Sequence, residues 1–290
     1  MKIIREPSVY LISRQEIDDT ELNRFLTDHG VTWESDSEVA AEVVTETAGR
    51  VCYMSFAKPR PGGNAAYLEH IKETSHGSVL EHAVWTFMIT GVSRSLTHEL
   101  VRHRAGFAYS QLSQRYVDES VAEYVEPDII AEDPELHQIW LEAVTHAHQA
   151  YVKLANKLAK KLEPVKCKKC DGQGCENGVH CVVCGGIGFK YHKFTPRDST
   201  ASSLRKTARQ AARSVLPNAT ETKITVTANA RALRHFLEQR GSELAEPEIR
   251  KLANVMLEIL WEESPNLFAD YYMNPQLDGT LDIQTPYRKV

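Results

Sequence analysis

The sequence predicts a mixed α/β fold of the α+β kind, a sheet flanked by long helices with a small knuckle inserted, and three observations carry that expectation. Apolar residues recur every three or four positions through DPELHQIWLEAVTHAHQAYVKLANKLAKKLEP, beginning at Asp133, which is the spacing of a long helix. The run VYLI at 9–12, the apolar stretch Ala83–Ile89 and the alternating Lys223–Thr227 read as strands. Two CxxC pairs, Cys167/Cys170 and Cys181/Cys184, enclose ten residues and can fold back on one another.

Composition narrows the class. A chain of 290 residues buries a substantial core as one large domain or two modest ones. No apolar run nears the roughly 18 residues that a membrane helix needs. The start, MKIIREPSVYLIS, lacks the basic head, long apolar core and cleavage site of a signal peptide, so a cytoplasmic location is expected. A net charge of -5 argues against non-specific nucleic-acid binding over the whole surface while leaving a local basic pocket open.

Taken in order, Ser13 and Glu16 fit a capping box, which predicts a helix over about 14–28 before Gly30. Residues 35–63 are less regular and end in a Pro- and Gly-rich turn. Asn64 is a candidate cap for a helix carrying Ala65, Leu68 and Ile71. In SHGSVLEH, the residues His76, Glu81 and His82 lack metal-ligand spacing, so hydrogen bonding or ligand contact is the better reading. SRSLTHELVRHR suits a helix capped by Ser93 or Ser95, and Gly106 marks a helix end or a close backbone approach. The long helical pattern sets in from about 123, with Asp133 and Pro134 at its start and Pro164 as its stop; it is expected to serve packing, and His137, His146 and His148 read as surface or interhelical residues rather than catalytic ones. After the cysteines, a helix beginning at Ser202 or Ser203 ends at Pro217 and Asn218. The strand at 223–227 follows, then a helix capped by Asn229 and bearing Leu233, Phe236 and Leu237, then a last helix from Pro247 to Glu263.

Five of the six cysteines lie between 167 and 184, and clustering in an apparently intracellular chain points to metal rather than disulfides. Four thiolates with glycines at the turns make a structural zinc held by Cys167, Cys170, Cys181 and Cys184 the leading reading, ahead of a redox pair or an iron–sulfur centre. Four sulfur ligands leave no open position, so such a metal holds a subdomain together. Cys175 is a spare or an alternative ligand. The repeated CxxCxGxG resembles the zinc region of DnaJ-type chaperones over this piece alone. The neighbouring Lys166, Lys168, Lys169, Lys190, His192 and Lys193 read as a solubilising face rather than a nucleic-acid contact.

The stretch LTHELVRHRAGFAYSQLSQRYV, residues 96–117, sets Arg102, His103, Arg104 and Arg115 among apolar and small polar residues, an arrangement that calls for anionic partners. Arg213, Arg231 and Arg240 raise the same question. Phosphate, which a planar guanidinium pairs bidentately, and ordinary salt bridges are equally open answers on this chemistry.

RHRAGFAYSQLSQRY, SHGSVLEH, ARSVLPNATET and TANARALRHFLEQRGSELAEPEIR together resemble the flavin-dependent thymidylate synthases, over about residues 40–120 and 200–275. The resemblance implies a mixed α/β fold, expected here as a central, mainly antiparallel sheet flanked by long helices: a single domain over 1–290 interrupted by a zinc-ribbon-like insert at 165–193. It implies a homotetramer with active sites shared between subunits. It also implies FAD-dependent methylation of dUMP at C5 to dTMP, with methylenetetrahydrofolate as carbon donor and NADPH as reductant and no cysteine nucleophile. Carried over by residue, His76, Ser78, Arg102, His103, Arg104, Asn229 and His235 contact FAD, while Glu99, Gln111, Ser113, Arg115, Arg213 and Arg240 surround dUMP. Arg240 is expected to stabilise charge developing on the pyrimidine. Ser113 is the second catalytic candidate, as a hydrogen-bonding residue, since no His–acid pair accompanies it. The family has seven residues between RHR and this serine. This chain has eight, which places one extra residue near Ala105 or Gly106.

Two other readings are carried: hydroxymethylation, or methylation of a related pyrimidine nucleotide; and a zinc-ribbon nucleic-acid-binding or chaperone-like protein, which rests on residues 166–193 alone. Neither membrane nor nucleic acid is an expected partner of the synthase.

Overall fold

Period-two burial makes the Val84–Ser93 strand the spine of the sheet: Trp85, Phe87 and Ile89 turn inward while Met88 points out to solvent. The computed structural model describes residues 1–58, 60–176 and 178–290. They form two units, residues 5–111 with 221–290, and residues 1–4 with 112–220.

In the first unit four strands pair in the order Ser8–Ser13, Val84–Ser93, Glu221–Asn229, Phe107–Gln111, every pairing antiparallel. The expected antiparallel sheet is therefore present. Leu233, Phe236 and Leu237 of the helix Ala230–Arg240 join Leu252, Met256 and Leu260 of the helix Pro247–Glu263 in one core with Trp85, Phe87 and Ile89. Fully burying side chains of this kind stabilises by about 1.5–3 kcal/mol each. Two caps act as the sequence predicts. Ser93 Oγ accepts from Leu96 N–H at 3.0 Å to start the helix Arg94–Leu100. Asn229 Oδ1 accepts from Ala232 N–H at 2.9 Å to start Ala230–Arg240.

Elsewhere the structure differs from expectation. Ser13 ends a strand, and the first helix runs Asp19–Asp28 with Asp18 as its cap. Residues 40–53, expected to be irregular, form a helix, Ala40–Tyr53. Apolar periodicity misses it because most of its buried face is polar: Glu42, Thr45, Glu46 and Arg50 are buried there. Glu46 takes Arg50 Nε at 2.8 Å and Asn64 Nδ2 at 2.7 Å, and Glu42 takes Asn266 N–H at 2.8 Å. Asn64 thus bridges two helices instead of capping its own, which starts at Gly63.

The second unit is built on the helix Pro134–Leu162, capped by Asp133, whose Oδ1 accepts from Glu135 N–H at 2.8 Å. Its far end packs Leu158, Ala159 and Leu162 against Leu204 and Ala208 of the helix Ala201–Ala212. Between these helices in sequence, two short antiparallel ribbons, Val165–Lys166 with Phe189–Lys190 and Cys175–Glu176 with Val179–His180, frame the knuckle. The repeated CxxCxGxG folds as a pseudo-twofold. Cys167 N–H donates to Gly188 O at 2.9 Å, and its counterpart Cys181 N–H donates to Gly174 O at 3.0 Å. Gly174 and Gly188 both have positive φ, and a Cβ on either would lie 2.3 Å from the carbonyl oxygen of the opposite repeat, so both positions require glycine. Among the described residues no helix is long and apolar enough to cross a membrane.

In the first unit one buried charge cluster ties the last residues to the core. Arg234, fully buried, donates to both Asp270 carboxylate oxygens at 2.8 Å, and Lys72 reaches the same group at 2.9 Å. Burial alone would raise the Asp270 carboxyl, but the Arg234 and Lys72 charges outweigh it and hold the pKa down at about 2. Asp270→Ala leaves both cations uncompensated and is expected to cost about 3–5 kcal/mol in urea unfolding. In the native chain the Asp270 contribution is complete above the ordinary carboxylate pKa of about 3.9 and is lost as pH falls toward 2. A variant as stable as the parent would remove Asp270 from this role.

Candidate active site

The helix Arg94–Leu100 ends just before RHR, with Val101 as its cap, so Arg102, His103 and Arg104 lie on a connecting turn rather than on the helix. Phe107 N–H closes that turn onto Arg104 O at 3.2 Å, with Gly106 at φ +73°, and the strand Phe107–Gln111 resumes at once. The expected extra residue near Ala105 or Gly106 falls in this turn. Gly106 O accepts from Asn229 N–H at 3.1 Å, and a Cβ at 106 would meet Ala232 Cβ at 2.7 Å. The RHR turn is thereby held against the start of the helix Ala230–Arg240.

Between them opens a cavity of about 680 Å³, walled by Arg102, His103, Arg104, Asn229, His235 and Arg240, with Glu81, Arg231 and Gln239 at its margin. Its size falls in the range of about 300–1,000 Å³ usual for small-molecule sites. Arg231 is neutralised by Glu81 at 2.6 Å. Arg102 and Arg104 have no carboxylate partner among the described residues, which leaves two guanidinium groups at the cavity for a phosphate-bearing ligand.

At the inner wall Arg240 Nη1 donates to Glu99 Oε2 at 2.6 Å, and Arg240 Nε donates to His103 Nε2 at 3.1 Å. His103 Nε2 is thus an acceptor, so the imidazole is neutral with its proton on Nδ1. Burial, then the charge of Arg240, then His235 and Arg102, lower its pKa to about 4. Tyr109 Oη lies 2.8 Å from Leu100 O and 2.9 Å from His103 O, bracing the turn from below. Burial and then the Glu99 carboxylate raise the pKa of Glu246, whose carboxyl hydrogen-bonds Glu99.

Of the other residues singled out in the sequence, Gln111 Nε2 donates to Thr97 Oγ1 at 3.0 Å at the end of its strand. His76 and Ser78 are exposed on the 3₁₀ turn Gly77–His82 and do not line the cavity. Ser113, Arg115 and Arg213 belong to the second unit. There Ser113 Oγ accepts from Arg115 N–H at 3.4 Å, and Arg115 Nε is buried with no hydrogen-bond partner among the described residues, a donor prepared for an anion. Gln239 and Glu246 were not foreseen, and neither has a sequence spacing tying it to the RHR motif; Glu81, read in the sequence as a hydrogen-bonding or ligand-contact residue, lines the cavity.

In the knuckle the sulfurs of Cys167, Cys170, Cys181 and Cys184 lie within 4.8 Å of one another. The Cys167–Cys181 and Cys170–Cys184 separations are 3.8 and 3.7 Å. These exceed an S–S bond of about 2.05 Å and match the sulfur spacing of about 3.8 Å that a tetrahedral site with Zn–S near 2.3 Å requires. Cys175 is exposed and outside the set.

The family model described as thymidylate synthase complementing protein matches residues 36–266. A flavin-dependent thymidylate synthase of Mycobacterium sp. (strain JLS) is 46% identical over 280 residues, covering 96% of this chain and 95% of the relative. The chain belongs to the flavin-dependent thymidylate synthases. It is an enzyme of that family. The Corynebacterium efficiens member is 42% identical over 259 residues, covering 89% of this chain and 90% of its own. Among solved structures, a UMP/dUMP methylase of Streptomyces cacaoi bound with 5-Br dUMP shares the fold, with a TM-score of 0.57 at 18% identity, covering 93% of this chain and 96% of that one.

For this flavin-dependent thymidylate synthase the state of His103 is measurable. NMR of the imidazole nitrogens is expected to show the Nδ1–H tautomer at neutral pH and a titration midpoint near 4. The unfolded chain takes that proton near pH 6.5, so the suppressed pKa subtracts stability between about 6.5 and 4. In Arg240→Gln the midpoint rises. A His103 that titrates near 6.5 in the parent enzyme contradicts the arrangement.

Proposed function

We propose that this chain methylates dUMP at C5 to give dTMP, with bound FAD, methylenetetrahydrofolate as carbon donor and NADPH as reductant, and with no cysteine nucleophile. The observation that carries the reading is the bond set around Arg240, fixed by Glu99 and His103 at the wall of a cavity where Arg102 and Arg104 have no carboxylate partner among the described residues. Arg102 and Arg104, with His103, Asn229 and His235, hold the flavin; His76 and Ser78 contact it from the exposed 3₁₀ turn. The exposed guanidinium groups suit its pyrophosphate, and the glycine at 106 allows close backbone approach. When bound, the flavin carries the one-carbon unit and supplies the hydride that completes the methyl group.

Arg240 does the polarising. Two of its donors are committed to Glu99 and His103, which fix the plane of the guanidinium and leave Nη2 to face the uracil edge, where negative charge develops as C5 becomes nucleophilic. Glu99 and Gln111 complete the nucleotide contacts, while Arg115 and Arg213 bind its phosphate and Ser113 donates a hydrogen bond. The whole chain acts as one synthase domain around the insert at 165–193. It assembles as a homotetramer with shared active sites, in keeping with apolar Ile129, Leu136 and Ile139, which stay exposed on the second unit. Cys167, Cys170, Cys181 and Cys184 hold one structural zinc.

Arg240→Ala is expected to lower kcat for dTMP formation by about 10²–10³, the usual effect of removing a preorganised donor, while the protein keeps its bound flavin absorbance. Unchanged turnover, or loss of flavin in step with activity, would sink the assigned role.

Metal analysis of the purified protein is expected to give one zinc per chain, and Cys181→Ser to lose it. Protein free of zinc after expression in zinc-replete medium rules the structural metal out.

A further inference from the structure

Nothing in the synthase chemistry uses the knuckle, and its outer surface is unusual for a mere solubilising face. Charge is strongly divided along the chain: residues 153–213 carry fourteen Lys and Arg against four Asp and Glu, in a protein whose net charge is -5. Within 165–194 five lysines face one aspartate and one glutamate. Lysines alone would read as a solvated surface. The apolar residues among them change that reading. Val182 is 82% exposed, Phe194 65% and Tyr191 48%, although a knuckle this small gains stability from any apolar group it can cover.

The aromatic pair is presented rather than left loose. Thr195 Oγ1 donates to Leu162 O at 2.9 Å, and Thr195 N–H to His192 O at 2.8 Å, so the segment 191–195 forms a turn anchored to the end of the long helix. On that turn Lys193 Nζ lies 5.0 Å from the Phe194 ring centroid, and the ribbon residue Lys190 precedes Tyr191 directly. Open rings interleaved with ammonium groups are the chemistry that recognises a polyanion carrying flat apolar groups: lysines meet the phosphates, and bases stack on the rings. A duplex hides its base faces, so the geometry points to a single strand.

We infer that the knuckle and its 189–194 arm form a binding surface for single-stranded nucleic acid, separate from the dUMP chemistry. Three to five phosphate contacts from the lysines give a log–log salt slope of about -2 to -3.5, and stacking on each ring adds about 5- to 150-fold in affinity.

The test is fluorescence anisotropy of labelled oligo(dT) and oligo(rU) with the full-length, zinc-loaded protein over a range of salt. The expected result is saturable binding with a slope in that range, the two oligonucleotides separating a DNA from an RNA preference. Tyr191→Ala/Phe194→Ala weakens binding at least about tenfold, and Lys190→Gln/Lys193→Gln flattens the slope by about 1.4. Both double variants retain zinc and dTMP formation, which shows that they fold. The inference is overturned by absence of saturable binding at micromolar protein, by binding that neither variant changes, or by full competition from dUMP. A concentration-dependent change in oligomeric state that the variants abolish, without oligonucleotide binding, also overturns it and makes a second copy of the chain the occupant.

Discussion

The hydrogen bond from Asn229 N–H to Gly106 O is the joint on which the site depends. Asn229 ends the central strand and caps the helix that carries Arg240, while Gly106 belongs to the turn that carries Arg102, His103 and Arg104. Fixing the two backbones to each other puts the last turn of that helix opposite His103 and lets Arg240 reach both His103 and Glu99. The approach is too close for a side chain at 106, since a Cβ there would also crowd the Asn229 amide at 2.8 Å. Ala105 and Gly106, near which the family resemblance leads one to expect an extra residue, both lie in this closely held turn. Gly106 takes positive φ, and the strand Phe107–Gln111 starts directly after it.

Which parts of this were legible in the sequence follows from the range of the interactions that make them. Ser93, Asp133 and Asn229 act through bonds to residues two or three places on, so their caps could be read directly. The cysteine knuckle was legible because a tetrahedral donor set imposes its spacing, and the glycines follow from the turns between the donors. The helix Ala40–Tyr53 was hidden because its buried face is satisfied by hydrogen bonds with Asn64, Ser264 and Asn266, and burial of that kind leaves no apolar stripe. Motif resemblance singled out Arg102, His103, Arg104, Asn229, His235 and Arg240, and all six line one cavity. It could not supply the Glu99–Arg240–His103 bond set, whose members lie up to 141 positions apart. Glu246 was beyond reach for the same reason. His76 and Ser78, singled out by resemblance, are exposed at the start of the 3₁₀ turn whose Glu81 lines the cavity, and are not themselves among its lining residues.

Polar burial is used in two ways in the first unit. Around Asp270 two buried cations, Arg234 and Lys72, share one carboxylate through three hydrogen bonds. Around Arg240 the pairing is uneven: Glu99 engages Arg240, while the exposed Arg102 and Arg104 in the same cavity wall have no carboxylate partner among the described residues. A guanidinium that is already neutralised has little left to offer an anionic ligand, whereas an unpaired one keeps its donors but raises the local positive potential.

That potential explains why the residue between the two arginines is a histidine in its neutral form. Burial first, then the charges of Arg240, His235 and Arg102, lower its pKa to about 4. A lysine at 103 would add a further charge to the cluster and could only repel Arg240. An apolar residue would leave the Arg240 Nε donor unmet in a half-buried position. Neutral imidazole accepts through Nε2 and so turns a like-charged neighbourhood into a hydrogen bond that orients Arg240. The positive field of the site supplies the condition for its own geometry, because the same charges that attract an anion keep His103 in the one protonation state that can hold Arg240 in place.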